Sequence, residues 1–238
     1  MNQSAVRTTR PVARTWRMRA WPSDASVAHL IFTDHQHLPS RDELDDAIAH
    51  AIRKGARAIR TSAMFPGAAD VVLADGFDVI DRLALLAFDL DTELPELRGE
   101  VQLGRLRPWH LTPCSQIDRE SFGLLWGNSA TSLRDIRHAT PSSSSRVARS
   151  NDGIIGFAIS GAAGDHGYLQ RLAVRPDARR RGAGHDLVVD ALRWMQRRSA
   201  DQALVNTGVT NDAALSLYRS LGFVDLTDEL VIAERRLT

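Results

Sequence analysis

Hydrophobic and polar positions change period repeatedly along the chain, and each change marks a strand or a helix. In the second half, strands are expected at 100–111, 145–150, 154–161 and 168–174, with amphipathic helices at 116–127 and 130–138. "NDG" at 151–153 separates two strand-like runs and reads as a hairpin turn. A further helix begins just past Gly182, with Leu187, Val188, Ala191, Leu192 and Met195 on one face and Arg193, Arg197 and Arg198 mostly off it. A strand at 203–209, a helix at 212–221 and a strand at 224–236 complete this half. Gly222 suits the left-handed position after the last helical turn, and Phe223 is placed to pack back.

The first half reads as strands at 12–21 and 27–33, a helix at 41–54, a strand at 57–64, a helix at 67–75 and a strand at 78–89. That order repeats the last six elements of the second half. Advancing by 146 positions places Thr61 on Thr207, Ala68 on Ala214, and Gly76–Phe77 on Gly222–Phe223. An ancient partial duplication is the expected origin, with units at 1–95 and 100–238. The polar, acidic stretch "LDTELPELRGE" at 90–100 forms the boundary. "ATPSSSS" at 139–145 is expected to be a loop.

Composition narrows the class. With 238 residues, 43% of them hydrophobic, the chain can bury one large core or two small ones. A net charge of +1 supplies no global field for a polyanion. The single cysteine, Cys114, excludes an intramolecular disulfide, fits a reducing cytoplasm, and reads as an ordinary buried or loop thiol. No apolar run approaches the ~20 residues of a membrane span. The arginine-rich start "MNQSAVRTTRPVARTWRMR" lacks a secretory apolar core and is read as part of the domain.

The informative chemistry lies in "LAVRPDARRRGAG", residues 172–184. A strand, a glycine-containing turn and a helix start together make an anion site. The first N–H groups of a helix have no internal partner, and the helix dipole adds positive potential there. Gly182 and Gly184 lack Cβ and let a phosphate approach the backbone, while Arg179, Arg180 and Arg181 line the rim. A nucleic-acid patch is disfavoured, since no aromatics lie nearby for stacking. A dinucleotide fingerprint is absent, because the chain contains no G-x-G-x-x-G. In "NDAALSLYRSLGF", residues 211–223, Asn211 stands where a helix N-cap belongs, and Tyr218 follows two turns later on the same face.

Together these segments resemble the GNAT superfamily of acyl-CoA-dependent N-acyltransferases. Arg179, Gly182 and Gly184 fit its turn pattern (Gln or Arg, two residues, Gly, one residue, Gly or Ala), and the spacing to the Asn211–Tyr218 helix also fits. The resemblance covers roughly 100–238 and implies a mixed α/β sheet fold with acetyl-CoA as cosubstrate and no metal. It implies that the turn with Arg179, Arg180, Arg181, Gly182, Ala183 and Gly184 binds the CoA diphosphate. Leu172, Ala173 and Val174 would pair with the pantetheine arm, and Asn211 would contact that arm. Tyr218 would donate to the departing thiolate as a neutral primary amine attacks the thioester through a tetrahedral intermediate. Pantetheine pairing requires strands 168–174 and 203–209 to splay apart.

The resemblance supplies no general base. The position five residues before Asn211, where relatives that acetylate protein N-termini often carry glutamate, is Asn206, and another frequent acid position corresponds to Tyr168. Asp165 and His166 are the remaining candidates. In the first half, Phe65 and Val72 replace Asn211 and Tyr218, so that half is expected to be non-catalytic and to shape the acceptor groove. His35 and His37 in "DHQH" lack a third ligand and read as loop residues. The alternative function is a CoA-binding sensor or interaction module without turnover. The acceptor, which is a small molecule, peptide or protein, and the oligomeric state are left open by these motifs. Neither nucleic acid nor membrane is an expected partner.

Overall fold

A computed structural model describes residues 15–33, 38–151 and 153–237. The start of the expected strand at 12–21, the "DHQH" segment and Asp152 of the "NDG" turn lie outside the described residues. Ten strands form one mixed sheet. In the first half these are β1 (Trp16–Trp21), β2 (Asp24–Phe32), β3 (Ala58–Thr61) and β4 (Asp78–Asp89). In the second they are β5 (Gln102–Arg105), β6 (Ser142–Ser150), β7 (Gly153–Ala163), β8 (His166–Val174), β9 (Gln202–Gly208) and β10 (Val224–Arg236). Helices α1 (Arg41–Arg53) and α2 (Pro66–Ala74) belong to the first half. The second carries α3 (Leu111–Trp126), α4 (Ala130–Ile136), α5 (Ala183–Gln196) and α6 (Asp212–Ser220). The expected α/β class with a mixed sheet is what forms.

Two expectations need correction. The strand expected at 100–111 stops at Arg105. Pro108 has no N–H for a ladder and opens a 3-10 turn, Pro108–His110, that runs straight into α3 at Leu111. The serine run is not a loop: Ser142–Ser145 lie in β6, opposite Ala162–Ile159 of β7. Ladder bonds come from the backbone, so small polar side chains do not prevent them.

The strand order is β1-β2-β3-β10-β4-β9-β8-β7-β6-β5. Its first eight strands read the same from both ends: β1, β2 and β3 answer to β7, β8 and β9, and β10 answers to β4, while β6 and β5 extend the second half alone. Each half has one parallel pair, β2 with β3 and β8 with β9, joined by a helical crossover. Adding 146 to the limits of α2, 66 and 74, gives 212 and 220, the limits of α6. The last strand of each half leaves its own β3 or β9 and inserts into the other half. β10 thereby pairs with β3 and β4, and β4 with β10 and β9.

Both helix pairs cover one face of this sheet. Arg82, opposite Val231 in the α1–α2 core, and Leu86, in the α5–α6 core, are four residues apart on β4 and project the same way. α3 packs on the other face over Val147, Phe157, Ile159 and Ala173. The tail of α3 reaches across to the first half. There the Trp21 indole N–H donates to the Leu125 carbonyl at 3.0 Å, and Trp21 meets Trp126 edge-on at 5.6 Å. The Arg60 guanidinium lies 4.4 Å from the Trp21 ring centroid and is paired with Glu234. His29, edge-on to Trp21 at 4.8 Å, is buried beside Arg19 and Arg60, and its pKa falls to about 3.

Because the exchanged strands join the two cores, the halves unfold together. Leu86→Ala, at a fully buried site on β4, is expected to cost about 2–5 kcal/mol. Urea titrations followed by tryptophan fluorescence and far-UV circular dichroism should show one coincident transition moved to lower urea. Two separate transitions would contradict the shared sheet. His29 makes stability depend on pH. Below pH 6.5 the unfolded chain binds a proton that the folded chain refuses until about pH 3, so stability drops as pH falls through that window. The urea midpoint should therefore decline less between pH 7.5 and 5 in His29→Gln than in the parent.

Candidate active site

β8 and β9 run together for only three pairs, His166–Gln202, Gly167–Ala203 and Tyr168–Leu204, and then part. Beyond Tyr168, β8 is bonded on one side alone. The register with β7 shifts here: Leu169 faces Ser160 and Arg171 faces Ile159, which leaves Gln170 as a bulge. The Arg175 N–H donates to the Ile155 carbonyl at 2.8 Å. Alternation back along the strand turns Ala173 and Arg171 toward β7 with their main-chain groups, and Leu172 and Val174 toward the open cleft. The Val174 carbonyl is already taken, by Ser121 Oγ at 3.2 Å and Arg179 Nε at 3.4 Å. The Leu172 N–H and C=O and the Val174 N–H remain to be matched by an extended ligand. Ala173 turns its side chain into the α3 core, so it spaces these groups.

The cleft ends at the turn before α5. Pro176–Ala178 form a short 3-10 turn, Arg180 adopts a left-handed φ of 64°, and Gly182, at φ 72°, is the N-cap of α5 without a side-chain cap. The first amide to bond back is that of Asp186, to the Gly182 carbonyl at 2.9 Å. The preceding helical N–H groups, beginning with Ala183, are the free donors of a helix start. Arg179, Arg180 and Arg181 are all exposed at this rim. Gly184 also has a packing role, because a Cβ there would stand 3.2 Å from Leu217 Cδ2 of α6. The 90–100 segment is tied to the same helix. Buried Asp186 accepts the Arg98 and Gly99 N–H groups at 2.8 and 3.1 Å, and the Glu100 carboxylate rests against Gly182.

Tyr218 projects from α6, which the Asn211 cap starts. Asn211 Oδ1 accepts the Ala214 N–H at 3.3 Å and Nδ2 donates to Thr207 Oγ1 at 3.0 Å, which gives this residue a structural task. The Tyr218 ring is buried and packs against Phe223, with centroids 5.5 Å apart. Burial raises its pKa and keeps the proton on oxygen, while the charge of Arg171 acts in the opposite direction. Arg171 was not singled out in the sequence, where "YLQRLAV" reads as an ordinary strand. Asp118 is fully buried on α3 and binds Arg171 through both oxygens, at 2.6 and 2.8 Å.

Other residues flagged in the sequence fall away from this point. Asp165 and His166 pair with each other at the closed end of the β8–β9 ladder. Five residues separate His166 from Arg171, about 17 Å of strand. Hydrogen bonding to His166 lowers the Asp165 pKa, which weakens it as a base. Asn206 is exposed on β9 opposite Leu85. In the first half, Phe65 occupies the N-cap of α2 with no side-chain hydrogen bond, and Val72 is fully buried. A cleft of about 310 Å³ between α2, Arg82 and the Thr227–Glu229 stretch lies away from the splay. Among the described residues, no group of three His, Cys, Asp or Glu side chains is placed to hold a metal, and His35 and His37 lie outside them. Among the same residues no helix is long and apolar enough to cross a membrane.

A parallel pair thus opens beside a glycine turn, and comparison with known proteins finds a family match over these same elements. The defining pattern of the Acetyltransferase (GNAT) family matches residues 111–223, and this part of the chain is a GNAT-family acetyltransferase domain. N-alpha-acetyltransferase 30 of Xenopus laevis is 43% identical over 58 residues, 24% of this chain and 21% of that protein. The [Ribosomal protein bS18]-alanine N-acetyltransferase of Salmonella typhimurium is 34% identical over 77 residues, 32% of this chain and 52% of that protein. The chain thus spans between about a fifth and a half of the length of these two relatives. A tandem GNAT protein from the clavulanic acid biosynthesis pathway has the same fold, with a TM-score of 0.66 at 14% identity over 89% of this chain and 75% of that one.

Cys114 is fully buried on α3, and burial beside Asp118 pushes its thiol up to about 12. Iodoacetamide at pH 8 is expected to leave the native protein unlabelled and to label it once in urea, read by intact mass. Rapid labelling of the native form would contradict this placement.

Proposed function

We propose that this chain is an acetyl-CoA-dependent N-acetyltransferase acting on a primary amine. The observation that carries the reading is the free edge of β8, which runs from the start of α5 toward Tyr218. Such an edge suits the pantetheine arm, whose amides alternate as a peptide's do. The Leu172 N–H and C=O and the Val174 N–H pair with the arm. The diphosphate takes the free amides that begin with Ala183 and Gly184, past the Gly182 turn, with Arg179, Arg180 and Arg181 adding charge from the rim. The exposed Glu100 carboxylate, which rests against Gly182, turns aside to admit it. The second hydrogen of Asn211 Nδ2 is free for a contact to the arm.

The chemistry assigned to the chain is short. One N–H of the open β8 edge also steadies the thioester oxygen as charge builds on it, and a neutral amine attacks to give the tetrahedral intermediate. As the C–S bond breaks, Tyr218 donates its proton, or a hydrogen bond, to the departing thiolate, and the surplus proton on the nitrogen passes to water, from which the phenol is restored. A phenol with a raised pKa keeps that proton until late in the step. Residues 1–95 form a degenerate partial repeat with no site of their own, whose contribution is strand β4 and one wall of the acceptor groove. A fold shared with a tandem GNAT protein over 89% of this chain supports that division.

The test is calorimetry with CoA followed by thiol release from acetyl-CoA with an amine panel. Binding and amine-dependent release are both expected, and binding without release from any amine would instead identify a sensor. Tyr218→Phe should lower turnover about a hundredfold and leave the CoA dissociation constant within about twofold. Equal turnover would remove Tyr218 from the mechanism. Gly182→Ala, at a left-handed φ of 72°, should weaken CoA binding with little change in fold.

A further inference from the structure

Arg171 is held more tightly than a strand arginine needs to be. Its Nε donates to Asp118 Oδ2 at 2.6 Å, and its Nη2 donates to Asp118 Oδ1 at 2.8 Å and to the Trp126 carbonyl at 2.9 Å. The guanidinium carbon lies 3.6 Å from the centroid of the Phe122 ring. Asp118 is braced in turn, accepting the Asn128 N–H at 2.6 Å. Gly123, at φ 73°, breaks α3 so that the Phe122 ring and the Trp126 carbonyl both reach the same cation. Three groups of one helix, α3, therefore fix one guanidinium, and only Nη1 has no partner among the described residues. It is not sealed, since the side chain keeps 18% of its surface.

Its place gives that free donor a meaning. Arg171 directly precedes Leu172, whose N–H opens on the cleft, and it lies three residues beyond Tyr168, the last β8 residue paired with β9. Paired with Ile159 of the α3 core, it projects onto the α3 face, opposite the α5–α6 face. The α5 start that takes the diphosphate and Tyr218 of α6 both belong to that second face, which leaves the side of Arg171 for the amine. Asp118 neutralises the guanidinium, and what Nη1 offers is a directed hydrogen bond.

We propose that Arg171 Nη1 binds an oxygen of the amine acceptor and selects amines bearing a carbonyl or hydroxyl oxygen next to the carbon that holds the nitrogen. The proposal rests on the acetyl-transfer reading and makes Arg171 a specificity-determining residue within it. The bond holds the nitrogen at a fixed offset from the thioester carbon. An alkylamine of equal size leaves the donor unmatched.

Glycinamide, ethanolamine and propylamine separate these cases. With saturating acetyl-CoA, and with kcat/KM expressed per neutral amine, the two oxygen-bearing amines should exceed propylamine about tenfold or more. Arg171→Met combined with Asp118→Asn, which leaves no buried charge alone, should bring the three within about twofold. Arg171→Lys keeps the charge but loses the fork, and it serves as the second variant if the double one fails to fold. Equal rates for all three amines in the parent, or a preference that survives in a folded variant, overturns the proposal alone. Absence of thiol release with every amine, despite CoA binding, overturns the acetyl-transfer reading and this inference with it.

Discussion

Strand β9 is held open by its neighbour on the far side. All seven of its residues pair with β4, and only three pair with β8. Two adjacent parallel strands would otherwise zip along their length, because every unpaired amide on the facing edges carries a desolvation cost. The cleft persists since β9 has already satisfied one edge against a strand contributed by the first half, while β8 has done the same against β7. The Gln170 bulge adds local twist where the two strands diverge. The first half, which carries none of the expected turn or acid chemistry, thus holds one wall of the gap in place.

The same arrangement sorts the polar groups by task. Anion-binding capacity sits at one end, in main-chain amides and three exposed arginines. The middle is an open β-edge. A buried phenol lies on the α5–α6 face of the sheet and a clamped guanidinium on the α3 face. Burial raises the pKa of the phenol, and the positive charge of Arg171 partly opposes that rise. The Arg171–Asp118 pair is a buried ion pair whose partners also hold Asn128 and the Trp126 carbonyl, so it fixes the loop between α3 and α4 as well as the cation. The local dielectric around these buried groups is low, which strengthens each of these contacts.

Much of this was legible in the sequence because it is local. The Gly182 turn, the Asn211 cap and the α5 face each occupy a continuous segment with its own signature, and α6 ends within one residue of where its period stops. The offset of 146 also lies on the surface of the sequence. The exchange of β4 and β10 does not, because a strand's alternation says which face it shows and nothing about which neighbour it takes. Arg171 was hidden for a similar reason. In "YLQRLAV" it occupies a slot that usually meets water, and only α3, some fifty residues earlier, turns that slot into a buried one. The strand expected at 100–111 shows the opposite error, a long-range reading of a segment that Pro108 had already ended locally.

The central position of β10 bears on how such a chain is made. It is the last strand in order, yet it lies between β3 and β4, whose residues leave the ribosome long before it. Until then, facing edges of both earlier strands stay exposed, with the apolar surface that later meets Val231 and Ala233 uncovered. Synthesis therefore leaves an interval in which the nascent sheet has a vacant slot of a defined width.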